Sequence, residues 1–408
     1  MTASPRSMTD WSSGARLIYP RLVALRRAIH AEPELGLECA GTTGKLKAAM
    51  RDLPLEIYDS KRSSGFLAIL RSPWPRCRRA VLLRGDMDAL PLEEATDLQF
   101  ASSHRGVMHA CGHDLHCSML TGAARLLCDA RDRLPGHVVF MFQPGEEGCH
   151  GARVMIEEGL LDICPADAAF ALHVTPNVPT GVVACRARAL MASTDTLVAT
   201  VRGQGGHAAM PHQARDPVPV ACEIVLAMQS LVARHVSVND PAVLSITRLN
   251  AGAADNVIPD EAVLRGTLRA FSSHTREQVG RAFCRVVEGI AGAHGLSAEA
   301  LIEQGYPPCI NDPRAVSMLQ SIVGSPDFPA EWTDIPETLM TGEDFAYVLD
   351  KVPGAMAILG AAPMGSDPLL NAPVHHAGMR VEEEAMRVGV QLLCSVAGAD
   401  LRQGLDGA

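Results

Sequence analysis

The sequence predicts an α/β fold in which a doubly wound domain is interrupted by an inserted α+β domain, on three observations. From Arg79 to Val174 short apolar runs alternate with segments of helical periodicity, the order that places helices against a largely parallel sheet. After Gly181 the texture changes to alternating strands and two long helices, and from about Pro307 the first texture returns. At 408 residues the chain is long enough for more than one core. The larger domain is read as residues 1–190 and 307–408, and the insertion as residues 191–306.

Taken in order, residues 15–31 carry apolar positions at helical spacing and stop at the turn signal Ala31-Glu32-Pro33. Ala80-Val81-Leu82-Leu83 reads as a strand, His113 to Arg133 as a helix, and Val138 to Phe142 as a strand. Ala152 to Leu161 is then helical and Ala168 to Val174 a strand. In the insertion, Thr196–Arg202, Ala242–Leu249 and Ala262–Ala270 are strands, while Asp216–His235 and Thr275–His294 are helices. That βαββαβ-like order covers one face of an open sheet and leaves edge strands to pair with a second subunit. Met356-Ala-Ile-Leu359 is a strand of the returning domain. Sites in such sheets gather at the carboxyl ends of the strands.

Composition narrows the function. A hydrophobic share of 47% with 20% charged residues is that of a globular enzyme, and aromatics at 4% argue against an aromatic-rich β fold. Thirty-six basic against forty-six acidic residues give a net charge of −10, and no Lys/Arg run forms a phosphate-binding stripe, so nucleic acid is not an expected partner. The stretch MTASPRSMTDW lacks a signal-peptide core and no run of 18 apolar residues follows; the expectation is a soluble, cytoplasmic protein without a membrane partner. Twelve cysteines scattered along such a chain are expected as free thiols.

Chemistry concentrates in a few segments. Met108-His-Ala-Cys-Gly-His-Asp-Leu-His116 packs a cysteine and three histidines where a loop enters a helix. Thiolate and imidazole bind borderline divalent metals, and a helix N-terminus lowers a thiol's pKa; the bland alternative is a polar loop with Cys111 as a small core residue. Phe142-Gln-Pro-Gly-Glu-Glu-Gly148 sets adjacent carboxylates after an apolar strand. One can ligate a metal while its neighbour handles protons, although an acidic turn before a helix is the plainer account. His173 ends the next strand, and His375-His376 follow a Pro-rich loop; their weight comes from the other strand ends of the same sheet. Gly203-Gln-Gly-Gly-His-Ala-Ala-Met-Pro-His212 presents two histidines on a loop whose glycines permit close approach to a ligand. Asp86 and Asp88 end a strand, and Glu343-Asp344 open a helix; both pairs are candidates to orient ligands.

In order, His30-x-x-Pro-Glu-Leu35, Arg-Gly-Asp-Met-Asp-Ala-Leu-Pro91, His-Ala-Cys-Gly-His-Asp114, Gln-Pro-x-Glu-Glu-Gly148, Leu-His173, Gly-Gly-His-Ala-Ala-Met-Pro-His212, Asn-Val-Ile-Pro-Asp260 and Gly-Glu-Asp-Phe345 resemble the M20 metallopeptidase family. In detail they resemble its aminoacylase, hippurate hydrolase and indoleacetyl-amino-acid hydrolase branch. The resemblance implies a zinc-peptidase-like mixed sheet and a ferredoxin-like inserted domain acting as lid and dimerisation unit. It implies Cys111, His113, Glu147, His173 and His375 as ligands of two divalent ions per subunit, Mn²⁺ or Zn²⁺, with Co²⁺ or Ni²⁺ also compatible. Glu146 is the implied general base and His207 the oxyanion donor, in similar proteins often that of a partner subunit. Asn256 and Arg269 match anchors for a substrate carboxylate, and Asp86, Asp88 and Asp114 are implied to orient the ligands.

The implied activity is hydrolysis of the amide bond of N-acyl amino acids, with acetyl, benzoyl or similar groups, by a homodimer or higher homo-oligomer. A dipeptidase or carboxypeptidase on the same scaffold is the alternative, and a catalytically silent binding protein a third, against which Glu146 argues. The chain departs from the family pattern at Cys149-His150, where small residues are usual, and at His375-His376-Ala-Gly-Met379, which lacks the usual Ser/Asn-Pro and aromatic. A freed Cys111 thiolate is also open to oxidation, with Cys117 or Cys149 as resolving thiols.

Overall fold

The apolar run Ala80–Leu83 lies in the middle of a mixed eight-stranded sheet in a computed structural model that describes residues 10–74 and 79–407. The first nine residues and Cys77, on which part of the N-terminal and cysteine expectations rest, lie outside the described residues. The chain divides into two units. One takes the chain up to Arg188, then Ile310–Glu337 and Tyr347 onward; the other takes Ala189–Cys309 and Thr338–Ala346.

The sheet of the first unit comprises β1 (Glu56–Asp59), β2 (Phe66–Leu70), β3 (Ala80–Asp86), β4 (His137–Gln143), β5 (Ala168–Thr175), β6 (Val182–Cys185), β7 (Glu331–Asp334) and β8 (Gly354–Gly360). Their order is β1-β2-β4-β3-β5-β8-β6-β7. β3 runs parallel to both β4 and β5, and β5 parallel to β8, while β2 is antiparallel to β4 and β8 to β6. The central strands are near-continuous apolar runs because both faces are covered.

Three helices, α1 (Trp11–His30), α2 (His113–Asp129) and α3 (Ala385–Gln403), pack on one another, and α2 and α3 also lie on β3. Asp10 caps α1 by accepting the Ser13 N–H at 3.0 Å, and Trp11, Ala15, Ile18, Leu22 and Ile29 form its buried stripe. The helix expected to reach Arg133 ends at Asp129 and continues as a 3₁₀ turn at Arg131–Arg133, and that expected to reach Leu161 ends at Glu157, before Gly159 in the left-handed region.

The second unit is a four-stranded antiparallel sheet in the order Ala242–Ala251, Glu261–Ala270, Asp195–Arg202, Ser297–Glu303. Alternate residues of Asp195–Arg202 are buried beneath the helices Pro217–His235 and Ser273–Ala293. Among the described helices, Pro217–His235 alone is long and apolar enough to cross a bilayer; here Val220, Ile224, Met228 and Leu231 join the core of this unit.

Candidate metal centre

The strand order turns at β3. The chain passes from β3 through α2 to β4 on one side, then returns to β5 on the other, and ligands bind outside the carboxyl ends of strands at such a switch point. The loop entering α2 descends there. Gly112 caps the helix at φ +83°, and a Cβ on it would lie 2.3 Å from Val174 Cγ2 at the end of β5, so the bend requires glycine on both counts.

Five donors converge. Cys111, His113 and His173 offer ligand atoms within 4.8 Å of one another, and so do Cys111, Glu147 and His375, so the two triads share the thiol. Cys111 Sγ is 3.3 Å from His173 Nε2, and His375 Nε2 is 3.1 Å from Glu147 Oε1. His113, Glu146 and Glu147 form a third such group. His113 Nδ1–H donates to the Asp88 carbonyl at 2.8 Å, and His173 Nδ1–H to that of Val174 at 2.8 Å. With Nδ1 so engaged, Nε2 is the nitrogen that each ring offers to the cluster. His113 Nε2 is buried without a hydrogen-bond partner, as expected of an atom that a cation completes. Thiolate, imidazole and carboxylate are the donor set of such ions.

Charge follows the same plan. Burial raises the Cys111 thiol pKa, but His173 and His113 outweigh it and bring the value down to about 6. Hydrogen bonds to Cys111 and Glu147 lift His375 to about 10. Burial opposes ionisation of Glu147, yet His375 and His113 hold it below the usual carboxylate value. The thiolate and carboxylate are thus ionised at neutral pH. His375 itself sits at φ +65°, a left-handed strain kept where surrounding contacts demand it.

Carboxylates behind the donors fix the frame. Asp88 accepts the main-chain N–H groups of Glu146 and Glu147 through its two oxygens, at 2.9 and 3.0 Å, besides holding His113 through its carbonyl. Asp86 binds Arg84 Nη1 at 2.5 Å and His116 Nδ1 at 2.6 Å. Asp114 instead binds α1, accepting from His30 Nδ1 at 2.9 Å and pairing with Arg26 Nε at 2.7 Å, so it ties α1 to the start of α2. Glu343 accepts the Phe345 N–H at 2.9 Å, as an N-capping carboxylate does.

A family model for Peptidase family M20/M25/M40 matches residues 82–399. The chain belongs to that family. N-acetylcysteine deacetylase of Bacillus subtilis is 36% identical over 388 residues, covering 94% of this chain and 97% of that protein. Thermostable carboxypeptidase 1 of Saccharolobus solfataricus is 34% identical, covering 94% of each chain. The solved YxeP protein of Bacillus subtilis, described as a dinuclear metal-binding peptidase of family M20, superposes with a TM-score of 0.81 at 32% identity, covering 95% of this chain and 99% of that one. This M20 chain is accordingly a hydrolase of amide bonds, and divalent metal binding belongs to it.

The remaining candidates of this M20 chain lie in the second unit. His207 pairs with Val257 in a short antiparallel ladder, and the Asn256 carbonyl accepts the Ala208 N–H at 3.0 Å, so the two candidates are neighbours. Arg269 is elsewhere. It is half-buried near the far end of strand Glu261–Ala270 and reaches the Ser193 carbonyl at 3.4 Å. Eight residue steps of strand separate it from Glu261, roughly 26 Å. Asn256 and Arg269 thus stand at different places in this unit.

Of the adjacent histidines, His375 joins the cluster, whereas His376 Nδ1 accepts the Gly378 N–H at 3.0 Å in a local turn. His150, also left-handed at φ +55°, binds the Tyr347 hydroxyl at 3.0 Å. Among the described residues neither Cys149 nor His150 belongs to a group of three metal donors. His109 is buried beside His30, and burial lowers its pKa to about 3. All eleven described cysteines are free.

Proposed function

We propose that this chain is an N-acyl-amino-acid amidohydrolase that works with two divalent ions per subunit, as a cytoplasmic homodimer or higher homo-oligomer. The observation that carries the reading is the pair of donor triads sharing Cys111, with the buried Glu146 alongside. Cys111, His113 and His173 would hold one ion, and Cys111, Glu147 and His375 the other. Zn²⁺ and Mn²⁺ fit best, the thiolate favouring the softer ion and the carboxylate the harder, with Co²⁺ and Ni²⁺ as substitutes.

When bound, the ions supply Lewis acidity that polarises the amide carbonyl and acidifies water. Glu146 takes the proton of the attacking water and returns it to the departing amine, so the products are a carboxylate and an amino acid. Asp88 holds the Glu146–Glu147 turn for that exchange. His207 donates a hydrogen bond to the oxygen that gains charge at the carbonyl. Asn256 and Arg269 contact the substrate; Asn256 precedes strand Glu261–Ala270 and Arg269 lies near its far end, which supports supply of His207 and Asn256 by the partner of a symmetric dimer while Arg269 acts within its own chain.

The relative named as an N-acetylcysteine deacetylase supports acyl amino acids as substrates. The relative named as a carboxypeptidase supports a second reading, peptide hydrolysis at the same centre. The test is release of amino acid from N-acetyl, N-benzoyl and long-chain acyl amino acids and from dipeptides, by chelator-stripped protein reloaded with Zn²⁺ or Mn²⁺. Metal-dependent turnover of acyl amino acids that is lost in Glu146→Gln is expected. Turnover of peptides alone selects the second reading, and no turnover with two ions bound overturns both.

A further inference from the structure

The β3–β5 ladder stops early. It runs from Val81–Ala168 to Arg84–Ala171, although β3 continues beside β4 to the pair Asp86–Gln143 and β5 beside β8 to Thr175–Gly360. Asp86 and the His173–Val174 segment therefore flank a fork in the sheet with no main-chain bonds across it. The imidazole of His116 bridges the fork. Its Nδ1 is 2.6 Å from Asp86 Oδ1 and its Nε2 is 2.9 Å from the Val174 nitrogen.

The partners settle the tautomer. Asp86 is ionised and accepts, so Nδ1 carries the hydrogen; Val174 N–H donates, so Nε2 is bare. Both nitrogens are occupied, which removes His116 as a ligand even though Asp86, His113 and His116 lie close enough together to form a donor group. The ring is held in turn by its helix: a Cβ on Gly85 would lie 3.1 Å from the His116 carbonyl oxygen, so α2 rests directly on β3.

We propose that His116 is a positioning residue that sets where His173 meets its metal ion, by holding the Val174 peptide across the fork. The inference rests on His173 being a ligand, as read above. The main chain of Val174 is held on both sides of its Cα: its N–H donates to His116, and its carbonyl accepts from His173 Nδ1 at 2.8 Å. A displaced Val174 carries with it both the backbone of His173 and the acceptor that orients its ring. The His116 ring also stands edge-on to the His173 ring, 4.8 Å between centroids at 64°.

A buried filler and a positioning residue differ in what their loss disturbs. Loss of a filler weakens the unit without choosing between the triads, whereas loss of the clamp acts on the Cys111/His113/His173 triad and spares Cys111/Glu147/His375. His116→Phe keeps most of the volume and neither bond. His116→Gln places an amide oxygen where Nε2 accepts from Val174, and His116→Asn reaches only Asp86.

The experiment titrates chelator-stripped full-length protein with Co²⁺, following the thiolate-to-cobalt and ligand-field absorption and the bound stoichiometry. Wild type is expected to bind two ions, and His116→Phe and His116→Asn to bind one as before and the other about 10–100-fold more weakly. His116→Gln is expected to regain the second site. Unchanged binding of both ions by His116→Phe, or by His116→Asn should the Phe variant not fold, overturns the inference, as does a Gln variant as impaired as these. Wild type that binds fewer than two ions overturns the binuclear reading itself, a result told apart by its appearance before any substitution.

Discussion

The Asp88 carboxylate accepts the main-chain N–H of Glu146 at 2.9 Å, so the proposed base is placed by the backbone it stands on. The second Asp88 oxygen does the same for Glu147 at 3.0 Å, and one side chain thus holds base and ligand in register.

Replacing Asp88 tests that register. Asp88→Ala is expected to lower kcat/KM about 10–100-fold, mostly through kcat, with metal content preserved. Asp88→Asn keeps a single acceptor and is expected to fall between the two. Steady-state kinetics beside metal analysis decide it, and an unaltered kcat would remove Asp88 from the support of Glu146.

The thiolate at Cys111 gives a pH signature. Its pKa falls from the ordinary 9.0 to about 6 in the folded chain, below that of the unfolded chain. Its contribution to stability is therefore full above pH 9 and lost as pH falls through about 6. Burial raises Cys128 and Cys185 to about 12. Iodoacetamide at pH 7.5 is expected to modify Cys111 ahead of these in stripped protein, and bound Zn²⁺ to protect it. Peptide mapping by mass spectrometry reads both outcomes.

Asp400 gives a signature of opposite sign. Its two carboxylate oxygens are buried without a hydrogen bond, and burial raises its pKa to about 6. A raised carboxyl pKa favours the folded state below the unfolded value and costs stability as pH climbs through 6. Asp400→Asn is expected to raise Tm by about 2–4 °C at pH 8 and leave it unchanged at pH 4. Equal shifts at both values would contradict the charge argument.

Metal removal is expected to lower Tm. The donors come from the loop before α2, the ends of β4 and β5, and the segment at His375, so the ions bind the folded chain alone. Saturation at about a thousandfold above Kd adds roughly 4 kcal/mol. Thermal scans with a chelator against graded Zn²⁺ should show Tm rising with the logarithm of free metal, and a flat response would exclude a linked site.

Mixing two inactive proteins tests whether His207 acts across a dimer. Glu146→Gln and His207→Ala are each expected to be nearly inactive. Co-refolded together they should recover part of the activity, because one site of the mixed dimer then joins an intact Glu146 to a partner's intact His207. No recovery in a confirmed mixed dimer would place His207 in its own chain's site.

Much of this arrangement was legible in residue types. Cys111 and His113 stand where a loop enters a helix, Glu147 at the turn after one apolar run and His173 near the end of the next, and the apolar runs are β3, β4 and β5. What was not legible depends on main-chain partners. Asp88 binds two N–H groups nearly sixty residues away and His116 binds another, and such donors have no residue signature. His375 and His376 are alike in sequence and differ in which one is held in the left-handed region. The edge strands β1 and β7, Glu-Ile-Tyr-Asp and Glu-Trp-Thr-Asp, are too exposed to show an apolar pattern.

Gly112 is constrained twice over. Its φ of +83° is one that side chains rarely adopt, and, separately, the Val174 methyl stands in the space where a Cβ would go. Trimming the side chain at position 174 would clear the space and leave the backbone strain, so a substitution at 112 would need relief of two kinds at once.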